Sequence, residues 1–410
     1  MRKDILTKEQ KILLFLTAKS IAKDPSLLTL NQGDLDGVDW QTVAIASNKQ
    51  AVPLATFDAV TPYLSAVPQD VYAKWQKIAM AVLHSGFFVM QSQADLIEIL
   101  NSRDFPYIIL KGAAANGYYP NKGIRAFGDV DFLIDPEKQA EIENLLIEKG
   151  YEKSHGDHPN HVVFTKPRAH LEMHFEVAGV PYGKQGERVR EFLKNAVFTP
   201  QKKTCDGGEF NAPSDVNHAL ILLLHMQHHM LGEGLGLRHL CDWATFVNAT
   251  AKQDFWQAQL IPFLKEIGLF TYTAVMTKTC AIYLKTACPN WANAVDEEIC
   301  QEVILDVLAC GNFGQNDAQR SKGGMLVSEH GKDGTKHGRL YYLFKILHDE
   351  TLSSKMVKFC VLLYPIAYIG KIFWHLGRAI SGKSKPIQVF TEAEKRKKVY
   401  DKLKVFESEK

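Results

Sequence analysis

Two aspartates two residues apart, Asp129 and Asp131, sit in the run Gly128-Asp129-Val130-Asp131-Phe132-Leu133-Ile134. On a strand, alternate residues point the same way, so both carboxylates share one face while Val130 and Phe132 take the other. Side by side they repel, and each raises the other's pKa unless a cation or donor compensates. A divalent metal commonly resolves that arrangement. A second period-two run, His170 to Val177, puts Glu172, His174 and Glu176 on one face and Leu171, Met173, Phe175 and Val177 on the other. If it lies beside the aspartate strand, Glu172 becomes a third carboxylate. Three carboxylates on neighbouring strands are what magnesium-dependent phosphoryl chemistry requires, and one of them can accept the nucleophile's proton.

The phosphate side of such a site is sought upstream. Tyr107-Ile108-Ile109-Leu110 reads as a strand that ends in Lys111-Gly112. A glycine at a strand-to-helix turn lets backbone N–H groups approach phosphate, and Lys111 can bind it as a point charge. Arg125 either clamps phosphate or bridges to the aspartates. His174 is a partner for Glu172 or phosphate, or a satisfied strand histidine. Further on, His225 and His229 stand at i and i+4 on a helix, the spacing of two zinc ligands. His225 is followed by Met226, not the glutamate of HExxH, which favours packing histidines, with contact to a bound nucleotide as the remaining option. Arg238 and Asp242, also four apart, read as a helical ion pair.

These residues need elements to hold them. Residues 1–104 read as helical, with a long amphipathic pattern from Val71 to Leu100. Strand signals cluster between about 105 and 178, interrupted by a helix from Glu137 to Lys149 that Gly150 ends. A hairpin at Lys166-Pro167-Arg168-Ala169 joins His161–Thr165 to the Glu172 strand. Residues 214–382 return to helix, at about 216–232, 237–249, 254–266, 269–286, 296–309, 340–348 and 355–380, with a long Gly- and Lys-rich loop at 311–338. A charged tail fills 383–410.

Composition sets the outer bounds. The 410 residues are 46% hydrophobic and 23% charged, with a net charge of +2, which gives no electrostatic footprint for nucleic acid. Seven cysteines without a CxxC pair favour buried thiols in a reducing compartment. The N-terminus lacks the apolar core of a signal peptide, so the expected location is the cytoplasm. Phe359 to Gly370 is apolar, but Pro365 and Lys371 break a run that would need roughly 20 residues to span a bilayer. The 355–380 segment therefore reads as a core helix, or as a basic helix lying on a membrane surface, peripheral to the inner membrane.

Taken together, Leu110-Lys111-Gly112, Arg125-Ala126-Phe127-Gly128-Asp129-Val130-Asp131 and Leu171-Glu172-Met173-His174 resemble the bacterial nucleotidyltransferase-like family of the polymerase-beta-type superfamily. His225-Met226-Gln227-His228-His229 and Leu237-Arg238-His239-Leu240-Cys241-Asp242 resemble the helical elements that follow in that family. The motifs cover residues 105 to 245. The resemblance implies an α+β protein: a small mixed-sheet core at 105–213 between helical N- and C-terminal regions. It implies Asp129, Asp131 and Glu172 as catalytic metal ligands for Mg2+ or Mn2+. It further implies Lys111, Gly112, Arg125, His174 and Arg238 around a nucleoside triphosphate, with His225, His229 and Asp242 as weaker candidates. The superfamily's Gly-Ser at the turn is Lys111-Gly112 here, so the serine contact to phosphate is missing. The expected activity is nucleotidyl transfer to an unknown acceptor, a small molecule, glycan or protein. The alternatives are a non-catalytic, antitoxin-like binding protein on the same fold, or a membrane-associated component of polysaccharide biosynthesis.

Overall fold

Four N-terminal helices, α1 (Lys8–Ile21), α2 (Gln32–Leu35), α3 (Trp40–Lys49) and α4 (Pro53–Val60), lead into the 33-residue α5 (Gln69–Asn101). Thr7 starts α1 with a reciprocal capping box to Gln10, which satisfies two otherwise orphaned amides. This computed structural model describes residues 5–154, 160–205, 208–316, 320, 348, 351–352, 357, 361–380 and 386–407.

The chain then builds one mixed sheet from β1 (Tyr107–Ile109), β2 (Val130–Ile134), β3 (Glu152–Lys153), β4 (His161–Lys166) and β5 (Ala169–His174), in the order β1-β2-β5-β4-β3. Only β2 and β5 run parallel, with Asp131 paired to Glu172. Between the strands lie the short α6 (Gly112–Asn116), which opens the β1–β2 connection, and α7 (Gln139–Glu148).

Strand alternation sorts the sheet into two faces. Tyr107, Ile109, Val130, Phe132, Ile134, Leu171 and Met173 pack with Leu96 and Leu100 of α5 and with Ile142 and Leu146 of α7. Ile108, Leu110 and Leu133 point into a second, larger core. Asp131, Glu172 and His174 lie at the odd steps of that same alternation, on the face opposite α5 and α7.

The larger core is helical. It joins α1, α3, α4 and the start of α5 to α9 (Asp215–Leu231), α10 (Leu237–Thr250), α12 (Phe270–Leu284) and α13 (Glu297–Cys310). The helical regions on either side of the sheet in sequence thus share one interior. Smaller helices α8 (Gly183–Leu193) and α11 (Ile261–Glu266) complete that region, the latter after a π-helical turn at Trp256–Leu260. At the C-terminus α14 (Tyr364–Ile380) is followed by α15 (Pro386–Leu403).

Three expectations need correction. Strands are not confined to 105–178: β6 (Gln201–Cys205) and β7 (Gly208–Ala212) form a separate hairpin sheet. Its first strand reads Gln-Lys-Lys-Thr-Cys, so it carries no apolar alternation to be found. The Glu172 strand stops at His174, because the amides of Phe175 and Glu176 turn to the Asn160 carbonyl. Glu176 leaves the carboxylate face and pairs with Arg190. Third, the charged tail is itself largely helical: α15 fills 18 residues and buries Leu403. The expected 340–348 helix and most of the 311–338 loop lie outside the described residues.

Candidate active site

The Lys111 turn is where local structure becomes unusual. Lys111 itself, not Gly112, takes the positive φ, at 43°, a costly conformation for a residue with a side chain. A Cβ on Gly112 would find only ordinary contacts, the nearest at 3.8 Å on Phe127. The twist sends the Lys111 ammonium across to β2, where Nζ donates to Asp131 Oδ1 at 2.8 Å. His174 Nε2 reaches the same oxygen at 2.9 Å and Glu172 Oε2 at 3.5 Å. Asp131 is thus buried with two cationic or potentially cationic partners. Burial opposes its ionisation, but Lys111 and His174 outweigh that and hold its carboxyl well below the usual range. Burial also disfavours the His174 cation, yet its bonds to Asp131 and Glu172 raise its pKa. Glu172 is shifted down against burial, chiefly by the His174 bond.

Asp129 is the odd member. Burial, then the charges of Asp131 and Glu172, push its carboxyl up to about 6. It is a carboxylate among carboxylates whose compensation is incomplete. All three supply hard oxygen donors, which suits Mg2+ or Mn2+. Among the described residues, the sets of three potential ligands with atoms within 4.8 Å of one another are His161/Glu172/His174 and His225/His229/His239. Asp129, Asp131 and Glu172 face one cavity but do not form such a set, and Lys111 holds an oxygen of Asp131. A divalent ion there would take the carboxylate oxygen that Lys111 holds.

That cavity has a volume of about 260 Å³. One wall carries Lys111, Gly112, Gly128, Asp129, Asp131 and Glu172; the other comes from the end of α9 and the start of α10. Gly232, Glu233, Gly234 and Gly236 let the chain reverse tightly between those helices, and Gly234 takes φ +129° against Cys310 and Arg320. The reversal sets His239 against His225 and His229, with ring centroids 5.3 Å from each, and Phe313 covers His229 and His239.

Arg238 also lines the cavity, its guanidinium 5.4 Å from the Phe313 ring. It does not form the expected helical ion pair with Asp242. Asp242 instead accepts two bonds from Arg125, at 2.8 Å each, and a third from the Tyr119 hydroxyl at 2.7 Å. Both charged side chains are 5% exposed, so Arg125 is committed to tying the Gly128-Asp129 loop to α10. His174 is likewise occupied: 1% exposed, it braces Asp131 and Glu172 from behind and does not line the cavity. Arg238 has no carboxylate within 4.0 Å among the described residues, which leaves its charge for something in the cavity.

Sequence reasoning missed His239, Glu233 and Phe313. The glycine spacing Gly232, Gly234, Gly236 was the available signal for His239, because a tight helical reversal must set the start of one helix beside the end of the other. Phe313 carried no signal.

The chain belongs to the family described as "Uncharacterised nucleotidyltransferase", whose model matches residues 36–285 and so takes in the whole sheet, α9 and α10. No curated protein and no solved structure matches the chain. Among the described residues, no helix is long and apolar enough to cross a membrane.

Proposed function

We propose that the protein transfers a nucleotidyl group from a nucleoside triphosphate to an acceptor bound in this cavity. The observation that carries the reading is that one small cavity holds three carboxylates on one wall and an uncommitted Arg238 on the other. The acceptor oxygen bonds to the α-phosphorus, the α–β bridging bond breaks, pyrophosphate leaves with the electron pair, and a carboxylate takes the acceptor's proton. Asp129, Asp131 and Glu172 would hold Mg2+ or Mn2+, which when bound neutralises phosphate charge. Lys111 and Arg238 grip phosphate oxygens from opposite sides, His174 fixes the orientation of Asp131 and Glu172, and Phe313 shields the far wall from water.

The test is incubation of the protein with magnesium, α-labelled triphosphates and cell extract. Labelled product that disappears in Asp131→Asn supports transfer. Magnesium-dependent triphosphate binding with no product under any acceptor mixture would instead make this a non-catalytic recognition protein. Binding that is unchanged in an Asp129→Ala/Asp131→Ala variant would overturn both.

A second reading concerns where the protein works, and rests on α14 and the short 3-10 turn Val361–Leu363 that leads into it. Leu362, Ile366, Ile369 and Phe373 recur at three- and four-residue steps and are 88%, 64%, 55% and 68% exposed. Between Glu350 and Glu392 the chain carries Lys355, Lys358, Lys371, Arg378, Lys383 and Lys385 and no acidic residue. We infer that this apolar stripe in a basic segment lies on an anionic membrane surface. Full-length protein should co-sediment with anionic vesicles and lose this in Ile366→Glu/Phe373→Glu. Protein that stays in the supernatant refutes it.

A further inference from the structure

The three histidines of the far wall have no place in the transfer chemistry above, yet they are arranged more tightly than packing requires. His225, His229 and His239 come from two helices, and each offers a ring nitrogen within 4.8 Å of the other two. His225 and His229 share one helical face with ring centroids 4.3 Å apart. His225 is 8% exposed and His239 3%, and among the described residues His225 Nδ1 and His239 Nε2 are buried without a hydrogen-bond partner. A buried polar atom left unpaired is expensive, and two in one cluster call for a ligand. All three rings line the cavity.

We propose that His225, His229 and His239 form a binding site for one divalent transition cation of the zinc class, its fourth position open to the cavity. Three imidazoles with an open position are a recurrent zinc arrangement, and imidazole nitrogen selects such ions over magnesium. Burial, reinforced by Lys111 and neighbouring imidazoles at His225 and His229 and by Arg238 and Arg125 at His239, lowers all three pKa values well below that of free imidazole, toward the neutral form a metal needs. The same cations oppose a metal's charge, but the cavity's lining holds five carboxylates, on Asp129, Asp131, Glu172, Glu233 and Asp242, against the three cations Lys111, Arg125 and Arg238. Glu233 Oε2 lies 3.9 Å from His229 Nδ1, where a carboxylate can orient a ligating imidazole through its other nitrogen. One existing bond competes: Gly236 N–H donates to His239 Nδ1 at 3.3 Å, and ligation through Nε2 would shift the ring proton and give up that long contact.

This site is separate from the carboxylate set and needs no nucleotide, so it is tested without one. Chelator-treated full-length protein is titrated with Co2+, and zinc content is measured after equilibration with Zn2+ and dialysis. The expected result is one equivalent per chain, with the intense visible bands of four-coordinate Co2+. The bands should be lost in His229→Asn and His239→Gln, with folding checked by circular dichroism, and kept in Asp131→Asn. Glu233 is well exposed, so Glu233→Gln should fold normally and bind roughly 10- to 100-fold more weakly. No stoichiometric binding, or binding that survives His229→Asn and is lost in Asp131→Asn, overturns the proposal. So does a cluster that responds to inorganic triphosphate and not to Zn2+, which would make it an anion-binding wall.

Discussion

Breaking the Arg125–Asp242 pair should be among the most damaging changes open to this fold. Each side chain is 5% exposed and the two share a bidentate contact. Replacing Asp242 by asparagine keeps the shape and the Tyr119 hydroxyl bond but leaves a guanidinium buried without its countercharge. Replacing Arg125 by methionine leaves the carboxylate in that position. Truncating one partner of such a pair costs about 3–5 kcal/mol, a large share of a typical folding stability of roughly 5–15 kcal/mol. Removing both charges together strands neither, so Arg125→Met/Asp242→Asn should cost about 2 kcal/mol or less, a coupling of at least about 4 kcal/mol between the two sites. Denaturant unfolding followed by tryptophan fluorescence reads this directly, because Trp243 adjoins Asp242 on α10 and is fully buried. Costs that simply add in the double variant, or single variants that lose under about 1 kcal/mol, would refute the claim that a desolvated ion pair anchors the Asp129 loop.

Lys111 occupies the carboxylate oxygen a metal would use, so Lys111→Met should tighten Mn2+ binding without nucleotide by at least about tenfold, worth about 1.4 kcal/mol; calorimetry showing equal or weaker binding contradicts it. His218 predicts acid sensitivity. It is fully buried between Tyr118 and Phe246, with neither ring nitrogen partnered among the described residues, and burial lowers its pKa to about 3. A depressed folded-state pKa means that stability is intact above the unfolded value of about 6.5 and falls as pH drops toward 3, by about 2 kcal/mol between pH 7 and 5. Unfolding measured at those two pH values should show a shallower loss in His218→Phe, and an identical slope removes His218 as the cause.

The sheet and its carboxylates were readable because a period of two leaves a plain mark. The alternation of Leu171, Glu172, Met173 and His174 against Val130, Asp131 and Phe132 is the alternation that places Asp131 beside Glu172 in the parallel register. What the sequence hid are partnerships across distance. Arg125 and Asp242 are 117 positions apart, and nothing near either names the other. The i,i+4 spacing of Arg238 and Asp242 pointed to a local pair that the long-range one displaces. Lys111 was legible as a cation at a turn, but its aim at Asp131 depends on a backbone twist that no composition signal reports.

Arg125's dependence on a residue from α10 also decides where the chain can be cut. An excised segment ending near residue 213 would contain all three carboxylates and the turn before them, and to the eye would look like a complete catalytic module. It would nonetheless leave a guanidinium in the interior with no anion to meet it, and would lack half the walls of its own cavity. The smallest piece that keeps the cavity whole must extend through Asp242, so the helices after the sheet belong to the candidate site as much as the strands do.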